Sequence, residues 1–255
     1  MSINNKDKLK KLLTAHLPGT VYVAPWLEQQ GISRALQQRY RSSGWLESAG
    51  TGAFQRPGEH VTWQGGLYAL QAQSGLAVHA GALTALALRG FAHYVRLGAE
   101  TVFLFSPPKT TLPAWFRNRD WGQKIHHCKT SVLPTGLALA DYQAGAFSIK
   151  ISAPERAILE CLHLSPDTVD LVECYQVMEG LTTLRPKLLQ PLLEQCGSIK
   201  AKRLFLYMAE KAGQDWLQDL DISKFDLGAG DRAVTKGGVY VSRYGLTLPE
   251  ELVKL

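Results

Sequence analysis

A short polar run carries the most readily named chemistry in this sequence. If residues 33 to about 42 are helical, Leu36 and Tyr40 fall at i and i+4 and turn inward. Arg34, Gln37, Gln38 and Arg41 are then expected on the outward side. These are side chains suited to duplex DNA: arginine bridges a guanine edge or holds a phosphate, and glutamine pairs with adenine. Arg56, further along, and Lys8, Lys10 or Lys11, before the run, would add phosphate contacts. On an isolated helix such residues are ordinarily a solvated face. What favours DNA here is the order of elements around them, with neighbouring charges positive except Glu28 and Glu47.

Other clusters point to weaker chemistry. His126-His-Cys128 invites a metal, but adjacent residues of a strand face opposite ways, so one strand cannot aim all three at one ion. Asp141, Glu155 and Glu160 are carboxylates of the kind that, near a strand lysine such as Lys150, hold Mg²⁺ in nucleases. Lys150, however, precedes the helix start Pro154-Glu-Arg156, where Glu155 more simply complements the helix N-terminus and Arg156 reads as a buried partner for an acid. The glycines and lysine between Gly228 and Gly238 lack the order of a phosphate loop and read as a β-turn. Trp115, Phe116 and Trp121 interleave with Arg117, Arg119 and Lys124; aromatic packing under a basic rim is favoured over base stacking. His79 and His93 flank an apolar helix and read as ordinary helix residues. No catalytic residue, metal or cofactor is expected.

The elements that must position Arg34 to Arg41 follow from local grammar. Residues 5–17 place Leu9, Leu12, Leu13 and Leu17 on one stripe opposite lysines, stopped by Pro18-Gly19. A short β-prone stretch at 20–23 and a short helix at 24–30 follow. Ser33 is the expected N-cap of the next helix, which Gly44 ends. Strands at 45–47 and 53–55 flank the turn 48–52. Helix, short helix, turn, helix and hairpin is the order of a winged helix-turn-helix, assigned to residues 1–60. Residues 61–255 read as a larger α/β domain. It has two helices over 63–95, strands near 101–105, 125–132 and 147–151, and helices from Pro154 to about Gly213. Two closing strands, 232–235 and 239–247, meet across Lys236-Gly-Gly238. The fold class is thus mixed α and β, an N-terminal winged helix followed by a larger α/β domain.

Charge is unevenly distributed. Residues 1–60 carry eight basic and four acidic side chains, 61–150 eight and three, and 151–255 twelve and fifteen. A basic front and an acidic back suit a protein that meets nucleic acid with one part and something else with the other. The four cysteines show no metal spacing, and the start is polar, so reduced thiols in a cytosolic protein are expected. The most apolar stretch, 76–95, is broken by His79, Arg89 and His93, which argues for a buried helix and against a membrane span.

Several stretches, taken in order, resemble the AbiEi family of type IV toxin–antitoxin antitoxins. They are Ser33-Arg-Ala-Leu-Gln-Gln-Arg-Tyr-Arg-Ser-Ser-Gly-Trp-Leu46, Gly81-Ala-Leu-Thr-Ala-Leu-Ala-Leu-Arg-Gly-Phe-Ala-His93, Ile149-Lys-Ile-Ser-Ala-Pro-Glu-Arg-Ala-Ile-Leu159, and the terminal Lys236-Gly-Gly-Val-Tyr240 with Tyr244-Gly-Leu-Thr-Leu-Pro249. The resemblance implies a bacterial protein of abortive infection whose winged helix binds inverted repeats in its own promoter and represses the operon. It implies a C-terminal domain that counters a co-transcribed nucleotidyltransferase toxin without needing a stable complex. Only Arg34, Gln37, Gln38 and Arg41 carry over as site residues. A plain winged-helix regulator with a ligand-sensing or dimerising C-terminal domain is the alternative.

Overall fold

The computed structural model describes residues 5–91 and 101–255, and His93 lies outside the described residues. The fold mixes α and β, as expected. Helix α1 (Asn5–Thr14) stops before the expected Leu17, with Leu12 buried and Leu9 packed on the same core. Strand β1 (Tyr22–Val23), helices α2 (Ala24–Gln29) and α3 (Arg34–Ser42), and strands β2 (Glu47–Gly50) and β3 (Ala53–Gln55) follow in the expected order. The three strands form one sheet in the order β1-β3-β2, both pairings antiparallel. Leu27, Ile32, Leu36, Tyr40 and Leu46 join Leu12 and Tyr22 in a core that fixes α3 against the sheet.

Helix α4 (Trp63–Tyr68) runs into a π-helical turn at Ala69–Gln73. Next come β4 (His79–Ala80), α5 (Ala82–Leu86), β5 (Thr101–Ser106), α6 (Ala114–Arg117), β6 (Lys124–Lys129), β7 (Leu139–Ala144) and β8 (Phe147–Ser152). Strands β4 and β7 are additional to the expected ones. Four helices then run in succession: α7 (Pro154–Leu164), α8 (Leu171–Gly180), α9 (Pro186–Gln195) and α10 (Ile199–Lys211). The chain closes with β9 (Arg232–Ala233), β10 (Val239–Val241), β11 (Leu246–Leu248) and α11 (Glu250–Lys254).

Contacts divide the chain into two compact units. The first comprises residues 1–79, 109–123 and 141–150, so the segment holding α3 is packed with later pieces of chain. Two glutamines of the π-helical turn make this possible. Gln73 donates to the Val21 carbonyl (2.7 Å) and accepts from the Val23 amide (2.8 Å). Gln71 does the same to Lys150, donating at 3.0 Å and accepting at 2.9 Å. Each side-chain amide acts as an extra strand neighbour and satisfies two backbone groups that would otherwise need water.

The second unit comprises residues 80–108, 124–140 and 151–255. Here β5 runs parallel to β6, in register from Thr101–Lys124 to Ser106–Lys129, and Ala80 pairs in parallel with Ile151. Helix α7 is the heart of this unit, with every residue from Glu155 to Leu162 buried. A charged helix turn can be buried only if its charges are answered. Glu160 accepts from Arg156 Nε (2.7 Å), Ser152 Oγ (2.8 Å) and the Ala82 amide (3.0 Å). Arg156 also donates to the carbonyls of Pro134 (2.7 Å) and Leu137 (3.0 Å). Residue 81 must be glycine, since a Cβ there would stand 2.2 Å from Glu160 Oε2.

The C-terminal strands depart from expectation. The expected strand 239–247 is broken by a helical turn at Ser242–Tyr244 and by Gly245 in the left-handed conformation. β10 therefore folds back antiparallel on β11, and β11 pairs in parallel with β9. Arg203, buried on α10, explains the shape. It donates to the carbonyls of Leu227 (2.7 Å), Gly230 (2.8 Å), Gly228 (3.1 Å) and Gly245 (3.2 Å), gathering two loops around one guanidinium.

Candidate nucleic-acid interface

Helix α3 begins as its sequence demands. The Ser33 hydroxyl accepts from the Leu36 amide at 3.4 Å, occupying one of the donors a helix start leaves open. Leu36 and Tyr40 are buried, which turns Arg34, Gln38 and Arg41 to the exposed side. Arg39 is exposed as well.

Gln37 is a correction. It was expected to face outward, yet it is only 3% exposed. Its Nε2 donates to the Ile32 carbonyl at 2.9 Å and the Ala24 carbonyl at 3.1 Å. The amide thus ties α3 to the start of α2 and to the turn between them. A position 100° from Leu36 and 60° from Tyr40 lies on the border of the inward face, and nearby carbonyls needing donors decided its direction.

Arg34 is exposed, and its Nε donates to Glu28 Oε1 at 2.6 Å. Lys8 Nζ donates to the Gly31 carbonyl at 2.8 Å, while Lys10 and Lys11 are exposed on α1. Arg56 stands at the foot of the β2–β3 hairpin, 3.9 Å from Glu59 Oε1. Glu59 in turn receives His16 Nε2 (2.7 and 2.9 Å) and the Gly19 amide (3.0 Å). Tyr22 bonds the other nitrogen of His16, and burial pushes its phenol well above the usual tyrosine range. Arg56 is therefore the outer member of a polar chain that braces the hairpin's base.

The aromatic cluster is packing, as favoured. Trp115 and Phe116 are buried, and Trp121 packs on Phe116 with ring centroids 4.9 Å apart and donates to its carbonyl at 2.9 Å. Arg119 lies over Trp121 at 4.9 Å and donates to Gln55 Oε1 at 2.8 Å.

The nuclease and metal candidates are each engaged separately. Asp141 pairs with Lys150 at 2.8 Å on the surface. Glu155 accepts from the Arg185 amide (3.0 Å) and guanidinium (2.8 and 3.1 Å), a firmer role than complementing its helix end. Glu160 serves Arg156, and His127 Nε2 meets Ser106 Oγ at 2.8 Å. Burial lowers the basicity of His126 and His127, with Lys124 and Lys129 adding to it. His79 is buried. Among the described residues no helix is long and apolar enough to cross a membrane.

Comparison with known proteins agrees across the chain. The RV2827C protein from Mycobacterium tuberculosis shares the fold, with a TM-score of 0.63 at 15% identity over 96% of this chain and 90% of that one. No curated protein matches the chain. Residues 5–97 match the family described as transcriptional regulator, AbiEi antitoxin N-terminal domain. Residues 99–249 match the family described as transcriptional regulator, AbiEi antitoxin, type IV TA system. The chain belongs to the AbiEi family of transcriptional regulators, antitoxins of type IV toxin–antitoxin systems.

Proposed function

We propose that residues 1–60 act as a winged helix-turn-helix that binds duplex DNA, with α3 in the major groove, and that the protein represses its own operon from an inverted-repeat operator. The observation carrying this reading is the exposed row Arg34, Gln38 and Arg41 on a helix capped by Ser33 and pinned from behind by Gln37. Such a row offers guanidinium and amide groups to base edges and phosphates from a rigid support. Arg56 supplies a phosphate contact from the hairpin's foot. The rest of the chain, residues 61–255, neutralises a co-transcribed nucleotidyltransferase-type toxin in the cytoplasm, without a required stable complex, in a system of abortive infection.

A gel shift with DNA from upstream of its own reading frame tests the DNA-binding half. Arg34→Ala with Arg41→Ala is expected to weaken binding strongly while leaving the melting temperature in place, because both side chains are exposed. Unchanged affinity in that double variant would defeat the assignment.

A further inference from the structure

In winged-helix proteins the hairpin after the recognition helix reaches the flanking backbone, yet beyond Arg56 at its foot this hairpin, residues 47–55, has no cation. Its turn, Ser48-Ala-Gly-Thr-Gly52, is uncharged. It is also tied back, since the Gly52 carbonyl accepts from the Ala24 amide at 2.9 Å. A cation-bearing element stands beside it in the same unit. Gly50, at φ +122°, lies against α6: a Cβ there would stand 2.9 Å from Trp115 Cβ and 3.0 Å from Trp115 Cα. The backbone of α6 thus touches the end of β2.

Two residues on from Trp115, Arg117 is exposed. Its Nε donates to the Leu112 carbonyl at 3.0 Å, fixing the stem. Among the described residues the two terminal nitrogens have no hydrogen-bond partner, so the guanidinium presents a held, unoccupied fork. Its neighbour Arg119 is committed to Gln55 and Trp121. The one acid of the segment 109–123, Asp120, is turned back on the Gly122 amide at 2.8 Å.

We infer that α6 serves as a second wing, with Arg117 binding a backbone phosphate of duplex DNA beside the hairpin. This rests on the reading of α3 as the DNA-binding helix. A fixed guanidinium fork suits phosphate geometry, and its place on α6, off α3, makes it a contact that positions without reading sequence.

The full-length protein is titrated by fluorescence anisotropy against two duplexes, one from upstream of its own reading frame and one scrambled, over a range of salt. Arg117→Gln is expected to bind both about fivefold more weakly near 0.15 M salt, from one lost counterion-releasing contact. The log–log salt slope is expected to shrink by about 1. Arg117→Lys, which keeps the charge, is expected to retain most of the affinity. Unchanged affinity and slope in Arg117→Gln, beside a binding loss in the Arg34→Ala and Arg41→Ala double variant, would overturn the second wing and leave α3 standing. Equal losses in the Gln and Lys variants, or a loss confined to one duplex, would also overturn it. If the double variant at Arg34 and Arg41 also keeps full affinity, both readings fall.

Discussion

Gln37 donates its side-chain amide to the carbonyl of Ile32 at 2.9 Å, from inside the helix whose neighbour Gln38 is exposed. Two adjacent residues of one type therefore divide the work of α3. Gln37→Ala is expected to cost about 1–3 kcal/mol of stability, because it strips donors from buried carbonyls. Gln38→Ala is expected to leave unfolding unchanged and to reduce discrimination between operator and mismatched duplex, by about 1–3 kcal/mol if the amide reads a base. Urea melts and competition binding on the two variants separate these roles, and the reverse pattern would refute the division.

The pair formed by Arg156 and Glu160 makes a second contrast. Arg156→Ala leaves a wholly buried carboxylate against Ser152 and Ala82, so a loss of about 3–5 kcal/mol is expected. Replacing both charges together, as Arg156→Met with Glu160→Leu, is expected to cost less than the single change, because the buried carboxylate is removed along with its guanidinium. Chemical denaturation of both variants checks this. A double variant clearly worse than the single would show that the ions themselves are needed.

Acid should act through Glu155. Burial alone would raise its carboxyl, but the Arg185 guanidinium and two backbone amides outweigh that and hold it below the usual glutamate range. A depressed folded value means that its contribution is fully present above the unfolded value and is lost as pH falls through the folded one. The exposed guanidinium of Arg185 is screened by water, so the effect is modest. Melting temperature is expected to decline below about pH 4.3, the unfolded glutamate value, and Glu155→Gln is expected to flatten that decline. Parallel pH curves for the two proteins would exclude Glu155 as the cause.

Gly50→Val should displace the hairpin from α6. The new side chain meets Trp115 and forces a β-branched residue to a positive φ, for a cost of about 1–3 kcal/mol. Fluorine NMR of the fluorotryptophan-labelled protein, with the Trp115 signal among the six tryptophans assigned by Trp115→Phe, offers a local reading: a shifted Trp115 signal without global unfolding is expected. An unshifted spectrum with full stability would show that the contact yields easily.

Much of the N-terminal order was legible because its signals are local. Ser33 caps α3, Gly44 ends it, and the glycines at 50 and 52 permit the hairpin turn, each visible within a few residues. The direction of Gln37 was not, since it depends on where the Ala24 and Ile32 carbonyls come to rest. The expected strand 239–247 failed for a similar reason: the break at Gly245 is held by Arg203, some forty residues earlier. Strand β4 is two residues long and is defined by its partner Ile151, so no periodicity could announce it. The buried pair is half visible: Arg156 reads as an acid's partner, while Glu160, four residues on, is of a type that also suits a metal.

The clasp of Gln73 on Val21 and Val23, and that of Gln71 on Lys150, bear on how such proteins diversify. A DNA-reading segment held by its own hydrophobic core alone could be exchanged between relatives as a cassette. Here the edge of its sheet is finished by an amide fifty residues downstream, and its hairpin rests on Trp115. A chimera that grafts only the first sixty residues inherits a mismatched clasp and floor. With α3 as the proposed DNA-binding helix, a new operator preference is therefore reached more readily by changing its exposed side chains in place than by exchanging the segment whole.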